Sequence, residues 1–316
     1  MATYKEKVGT AVVNFAGTYP GAVEGELWYD STNKDFKYQY PNKTTTGSWS
    51  TTGSLNQTRQ GIGQFGTESS ALAFGGETPG AGDFNNTELY NGSSWTEVNN
   101  LTGARAFLVG TGTSTAGLGF GGEPNSALTE TWNGTNWTEV NDLNTGRSNV
   151  GGRGGTNTSA LYFGGNSPAR ALTESWNGTN WTEVGDLNAA RSNDGGFGVS
   201  TAGIIAGGST TESWNGTSWS EVNELNTPRT QGRGAGIQTS GLIFSGSPAP
   251  PNGALTESWD GTSFTEVADL ATSRRKGGGS GTSSAALFFG GQGSPPKFTA
   301  TEEWTLPDTA TVSFDV

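Results

Sequence analysis

One phrase, written six times, constrains this chain more than any other feature. Trp-x5-Leu-x3-Arg occurs at Trp49/Leu55/Arg59, Trp95/Leu101/Arg105, Trp137/Leu143/Arg147, Trp181/Leu187/Arg191 and Trp219/Leu225/Arg229. The sixth copy reads Phe264/Leu270/Arg274, with Phe in place of Trp. The arginines stand 46, 42, 44, 38 and 45 residues apart. A period near 40 predicts a repeat architecture, because one such unit cannot bury its own apolar face and must stack on neighbours.

Composition matters because it tests whether such a chain can fold. Leu, Ile, Val and Phe make up about one-sixth of the 316 residues, a level that by itself suggests disorder. Eleven Trp and 52 Gly answer that objection: the first supply large buried area, the second let backbones pack where side chains would not fit. There is no His and no Cys. Disulfides, thiol nucleophiles, Ser-His-Asp triads and nearly all zinc or copper sites are thereby excluded, and no metal or cofactor is expected. The net charge of −12 disfavours a nucleic-acid partner, whose phosphates need a basic face. The opening MATYKEKVGT lacks an apolar signal core, and no stretch approaches the ~20 apolar residues that span a bilayer.

Each repeat reads as four short strands. In 147–185 a Gly-rich run (GGRGG) is followed by a polar turn, an apolar strand ending in Gly-Gly (ALYFGG), a variable loop, LTESWNG, and NWTEV. Strand and turn signals at this spacing predict successive antiparallel strands of one small sheet. The Gly-Gly recurs at 75–76, 121–122, 164–165, 207–208 and 290–291, and as Ser245-Gly246. The several Asn-Gly-Thr triplets read as hairpin turns. The two ends are complementary. Trp304 has no Trp five residues on, and Trp49 has no Thr-Glu-x-aromatic strand before it. Ring closure is the simplest reading: an N-terminal strand around Gly47–Thr52 completes the last sheet, giving six four-stranded blades.

Gly-Gly, an aromatic, a following Trp, then Leu and Arg resembles the kelch repeat of β-propellers over about residues 47–305. Here the repeat is shorter, and Trp-Asn-Gly replaces the family's Tyr-Asp-Pro turn. The expected fold is therefore all-β: a six-bladed kelch-like propeller (47–305), an N-terminal β-hairpin module (1–46) and a C-terminal tail (306–316). The module holds Gly25–Asp30, a turn at 31–34, and Asp35–Tyr38. Its phrase GAVEGELWYDSTNKDFKY resembles virion structural and tail fibre proteins of tailed bacteriophages. That resemblance implies a particle-borne protein engaged in host recognition. It would dock on other virion proteins through 1–46 and would be made in the host cytoplasm without a signal peptide.

Two residue sets carry the functional argument. Glu88, Glu130, Glu174, Glu212, Glu257 and Glu302 lie two residues before an aromatic, on the same strand face. A buried carboxylate there needs a partner, and Arg59, Arg105, Arg147, Arg191, Arg229 and Arg274 are expected to latch onto them. The same Glu in every blade argues against a glycosidase, which needs two carboxyls at one unique site. The Trp pairs are read as core between blades; their alternative use is sugar stacking. The turns also mimic the Asp-box of sialidase propellers, mostly with Asn for Asp, and Asp260 is the exception.

The loops after Gly-Gly vary, from ETPGAGDFNN (77–86) and SPAPPNGA (247–254) down to Ser209-Thr210. Antiparallel order puts them on one face with the Arg connectors, opposite the uniform Asn-Gly turns. Length variation on one rim of a rigid scaffold predicts a binding face. Its candidate residues are Glu77, Asp83, Phe84, Asn85, Pro124, Asn125, Pro168, Ala169 with Arg170, Pro248, Pro250, Asn252, Pro296 and Lys297. The Gly-rich runs are not phosphate loops, because no GxxxxGK[ST] accompanies them. The expectation is a non-enzymatic protein whose partner is a host-surface glycan or protein. A bacterial carbohydrate-binding or sialidase-like propeller and a cytosolic protein-interaction propeller are the alternatives. The oligomeric state, a homo-oligomer included, stays open.

Overall fold

The computed structural model describes residues 13–16, 27–40, 47–148, 152–165, 169–208, 210–248, 253–293, 298–306 and 310–314. The chain divides into two units, Gly47–Thr305 and a smaller one made of Met1–Thr46 with Leu306–Val316.

The larger unit is a six-bladed β-propeller of four-stranded antiparallel sheets. The second blade shows the plan, running from the axis outward as Val109–Thr113, Ala116–Phe120, Thr129–Trp132 and Trp137–Val140. The last blade takes Gly278–Gly281, Ala285–Phe289 and Thr301–Thr305 from the C-terminal end and Ser48–Thr52 from the N-terminal end. Thr301 pairs with Thr52 and Trp304 with Trp49, so the expected ring closure is present.

Strand faces explain the core. In the third strand the pattern Thr-Glu-x-aromatic buries Thr, Glu and the aromatic. In the fourth strand only the first aromatic is buried, and Thr-Glu faces water. The fourth-strand Trp then reaches the preceding blade. Its indole Nε1 donates to that blade's third-strand Thr: Trp95 to Thr301, Trp137 to Thr87, Trp181 to Thr129, Trp219 to Thr173 and Trp49 to Thr256, all at 3.0–3.1 Å. The third-strand Trp instead caps a turn within its own blade, as Trp132 does on the Ser114 carbonyl at 2.9 Å. Both Trp sets are thus structural core, buried apart from the half-buried Trp49 and hydrogen-bonded as indoles in a core must be.

Hairpins between third and fourth strands are four residues long, and the Asn side chain organises them. Asn133 Oδ1 accepts from the N–H groups of Thr135 at 2.9 Å and Asn136 at 2.8 Å, with Gly134 at φ 91°. Asp260 does the same for Thr262 and Ser263, which holds its carboxyl below the usual range. The Gly-Gly pairs have a conformational cause too. Their first residue sits near φ +60° to +80°, which Ser245 also adopts at 64°. The second lies at 95–139° in five blades, a region kept for glycine, so Ser-Gly is tolerated there. The fourth blade, with the shortest loop, departs: there it is Gly208, at 56°, that turns.

In the smaller unit, Leu27–Asp30 and Asp35–Tyr40 form the expected hairpin across Ser31–Lys34. Asp30 accepts from the Thr32 N–H at 2.9 Å and pairs with Lys37 at 2.7 Å. Val13–Phe15 adds in parallel to Leu27–Asp30. The reading of 306–316 as a tail needs correction. Ala310–Phe314 is a strand, antiparallel to Asp35–Tyr40. ATVSF alternates in the period of a strand, and the free edge of the hairpin supplies its hydrogen bonds.

Candidate functional site

The loop face is built on the Glu–Arg pairs. Arg59 lies 2.7 Å from Glu88, Arg105 2.8 Å from Glu130, Arg147 3.3 Å from Glu174, Arg191 3.2 Å from Glu212 and Arg274 2.7 Å from Glu302; Arg229 contacts Glu257 directly. All twelve residues are buried. Each Arg arrives on the connector from the previous blade, and each Glu stands on the third strand of the blade being entered. Burial pulls the guanidinium of Arg59, Arg105, Arg229 and Arg274 downward, and the paired Glu opposes that pull.

The guanidinium does a second job. In the first blade Arg59 Nη1 donates to the carbonyls of Gly75 (3.1 Å) and Asn86 (2.9 Å), the two feet of the variable loop. Arg105 holds Gly121 and Leu128 in the same way, and Arg274 holds Gly290 and Ala300. The connectors that follow the first and second blades grip the same loops from the other side. Leu101 and Arg105 N–H groups donate to Asn85 and Phe84, and Leu143 and Arg147 to Ala127 and Ser126. Loop length can therefore vary while its feet stay fixed.

The six latches are not equal. Those of Arg59, Arg105, Arg229 and Arg274 are hydrogen-bonded to their Glu. Arg147 and Glu174 are an ion pair alone, and the guanidinium stacks 4.4 Å from the Tyr162 ring. Arg191 is shared between Glu212 and Asp194. Asp194 is buried, and desolvation pushes its carboxyl up to about 6 against the pull of Arg191.

Of the candidate binding residues, Asp83, Pro124, Asn125, Ala169 and Pro248 are exposed, whereas Glu77, Phe84, Asn85 and Arg170 are half-buried. The 77–86 loop folds as a small hairpin, Glu77–Thr78 against Gly82–Asp83. Glu77 accepts from Gln60 at 2.7 Å, and Asn85 Nδ2 donates to Leu101 at 3.3 Å. Half of this loop is thus scaffold, and its exposed tip is Pro79–Asp83. Burial and the nearby Glu77 raise the Asp83 carboxyl above its usual range. Pro168, Pro250, Asn252, Pro296 and Lys297 lie outside the described residues.

Sequence reasoning missed the axis. Gly61, Phe107, Asn193, Gln231 and Lys276 occupy one equivalent position where the connectors reach the channel, all at φ between 54° and 64°. Their backbones form a chain around the mouth: Phe107 N–H donates to Gly61, Gly61 to Lys276, Lys276 to Gln231, and Gln231 to Asn193. The signal available was substitution within the Gly-rich runs. Arg233 in GRGAG puts a cation where other copies have Gly or Val, and Arg275-Lys276 in SRRKGGG put two where the first blade has Gln60-Gly61 and the second Ala106-Phe107. At the opposite, turn-face end the channel holds a cavity of about 150 Å³ lined by glycines with Phe65, Thr111, Phe197, Ala235 and Ser280.

Set against known proteins, the chain matches no family model and no curated protein. What the geometry establishes is a β-propeller with pinned, length-variable loops on one face, a scaffold suited to binding proteins or carbohydrates.

Proposed function

We propose that this chain is a non-enzymatic binding protein of a bacteriophage particle, in which the kelch-like propeller presents its loop face to a host-surface glycan or protein. The observation that carries the binding half is the double pinning of the variable loops, by the latch guanidinium inside and the next connector outside. A rigid base with a variable tip is what recognition asks of a loop. The particle half is supported by the likeness of residues 21–38 to phage structural proteins. Against a catalytic use of the Glu set, each of the six carboxylates is committed to an arginine on the connector that enters its blade.

The test is electron microscopy of purified virions labelled with antibody to residues 47–305. Label on the tail fibres supports host recognition. Label over the capsid supports a surface-decoration version of the same role. Virions that carry neither label nor the chain after a density gradient overturn the particle reading and leave a bacterial or cytosolic binding propeller.

A further inference from the structure

The axis carries charge that the six-fold plan does not use. Of 17 cations, six are latch arginines and five precede residue 47; the rest are Arg153, Arg170, Arg233, Arg275, Lys276 and Lys297. Arg153 and Arg233 stand on innermost strands, and Arg275 and Lys276 on the connector into the last blade. Exposed carboxylates, by contrast, decorate the outermost strands at Glu97, Glu139, Glu183, Glu221 and Glu266. A chain of net charge −12 therefore gathers cations at its centre.

Arg233 is the outlier among them. It opens its innermost strand at a position held elsewhere by Gly or Val (Gly63, Val109, Gly152, Gly195, Gly278). It is 9% exposed. Its Nη1 donates to the adjacent Gly232 carbonyl at 2.9 Å, and among the described residues no carboxylate lies within ion-pair distance. Burial with no acid beside it lowers its pKa to about 10. A desolvated cation without a counter-ion is costly, and the latches show how this chain meets that cost elsewhere.

The neighbours of Arg233 describe what is missing. Lys276 N–H donates to the Gln231 carbonyl at 3.2 Å, which brings Lys276 beside the Gln231–Arg233 segment. Its Nζ lies 5.2 Å from the Phe107 ring, two blades on, so the side chain crosses the mouth. Arg275 and Arg233 both disfavour its charge, after burial itself, while Glu77 and Glu123 favour it. Gln231 Oε1 is buried and accepts no hydrogen bond. Among the described residues, the Gln231–Arg233 segment thus has a guanidinium without an acid and an amide oxygen without a donor.

We infer that the loop-face mouth of the channel binds a hydroxylated carboxylate of the sugar-acid class. The carboxylate lies on Arg233 and Lys276, and a hydroxyl donates to Gln231 Oε1. The site does not depend on the particle reading and is tested apart from it.

Isothermal titration of the full chain with sodium glucuronate is the experiment. One site per chain is expected, with a Kd on the order of millimolar. Acetate, which lacks the hydroxyls, binds at least about tenfold more weakly, and glucose, which lacks the charge, does not bind. Lys276→Met, a half-buried side chain outside the latches, keeps the parent Tm and weakens glucuronate at least about tenfold. Arg233→Met abolishes binding; should it fail to fold, Lys276→Met and Gln231→Met carry the test. Lys34→Met, an exposed cation of the smaller unit, retains binding. No heat with glucuronate up to about 50 mM overturns the inference. So does equal binding of glucose or acetate, or a Lys276→Met protein that binds as the parent does.

Discussion

Phe264 is the one copy of the fourth-strand aromatic that cannot donate a hydrogen bond. Its counterparts in the other five blades each give an indole N–H to a Thr in the preceding blade. The Thr that Phe264 should serve is Thr211, and Thr211 Oγ1 is buried without a partner. Phe264→Trp is expected to raise stability by about 0.5–1.5 kcal/mol, measured by denaturant titration at constant m. The same gain in a Phe264→Trp/Thr211→Val double variant would refute the hydrogen-bond explanation. Asp194 is the second residue out of step. It stands where the first two blades have Ile62 and Leu108. Its folded pKa of about 6 exceeds the ordinary 3.8, so the folded state holds the proton more tightly than the unfolded chain. Stability is therefore lost as pH rises from about 4 through about 6, by on the order of 2–3 kcal/mol. Asp194→Asn cannot titrate. Its stability relative to the parent should climb across that window, and a flat difference from pH 4 to 7 would count against the assignment.

At the scale of the element, the unit is a connector, a Glu-bearing third strand and a loop with two fixed feet. Arg105→Ala leaves Glu130 buried and frees the carbonyls of Gly121 and Leu128, and should cost about 3–5 kcal/mol. Arg147→Ala should fall at the lower end of that range, because its pairing with Glu174 lacks a hydrogen bond. Losses below about 1 kcal/mol for both would mean that the pairs behave as exposed ones. The element also explains a charge pattern. Glu88 faces Glu97 across the sheet, and Glu130 faces Glu139, in register. Like charges directly opposite are unfavourable, but the outer member faces water and protects an unpaired strand edge. In the closing blade Thr51 stands opposite Glu302 instead.

At the scale of the whole molecule, closure depends on five residues from the N-terminal end. Without Ser48–Thr52 the last blade has three strands, and Thr256 loses its bond from Trp49. Deleting 1–52 should expose the edge of Thr301–Thr305 and drive concentration-dependent aggregation, read by light scattering. A monomeric truncation with one cooperative unfolding transition would contradict that role for the strand. The radial arrangement of charge, cations at the axis and carboxylates at the rim, belongs to this scale too.

Much of this was legible in the chain. Period, strand order, blade number, closure and the Glu–Arg partnership follow from local spacing repeated six times, because repetition makes each blade's needs identical. The hairpin of 27–40 was legible for the same local reason. What tertiary structure alone decided lies where copies differ or where distant segments meet. Ala310–Phe314 finds the edge of Asp35–Tyr40, a pairing across some 270 residues that no local pattern encodes. The missing indole at Phe264 becomes an unpaired hydroxyl only once Thr211 is seen beneath it. Arg233 reads as one more residue in a Gly-rich run until the fold brings Lys276 beside the Gln231–Arg233 segment and buries it. Repeats declare their shared chemistry in sequence, whereas a central axis is assembled from one residue of each and exists only in the closed ring.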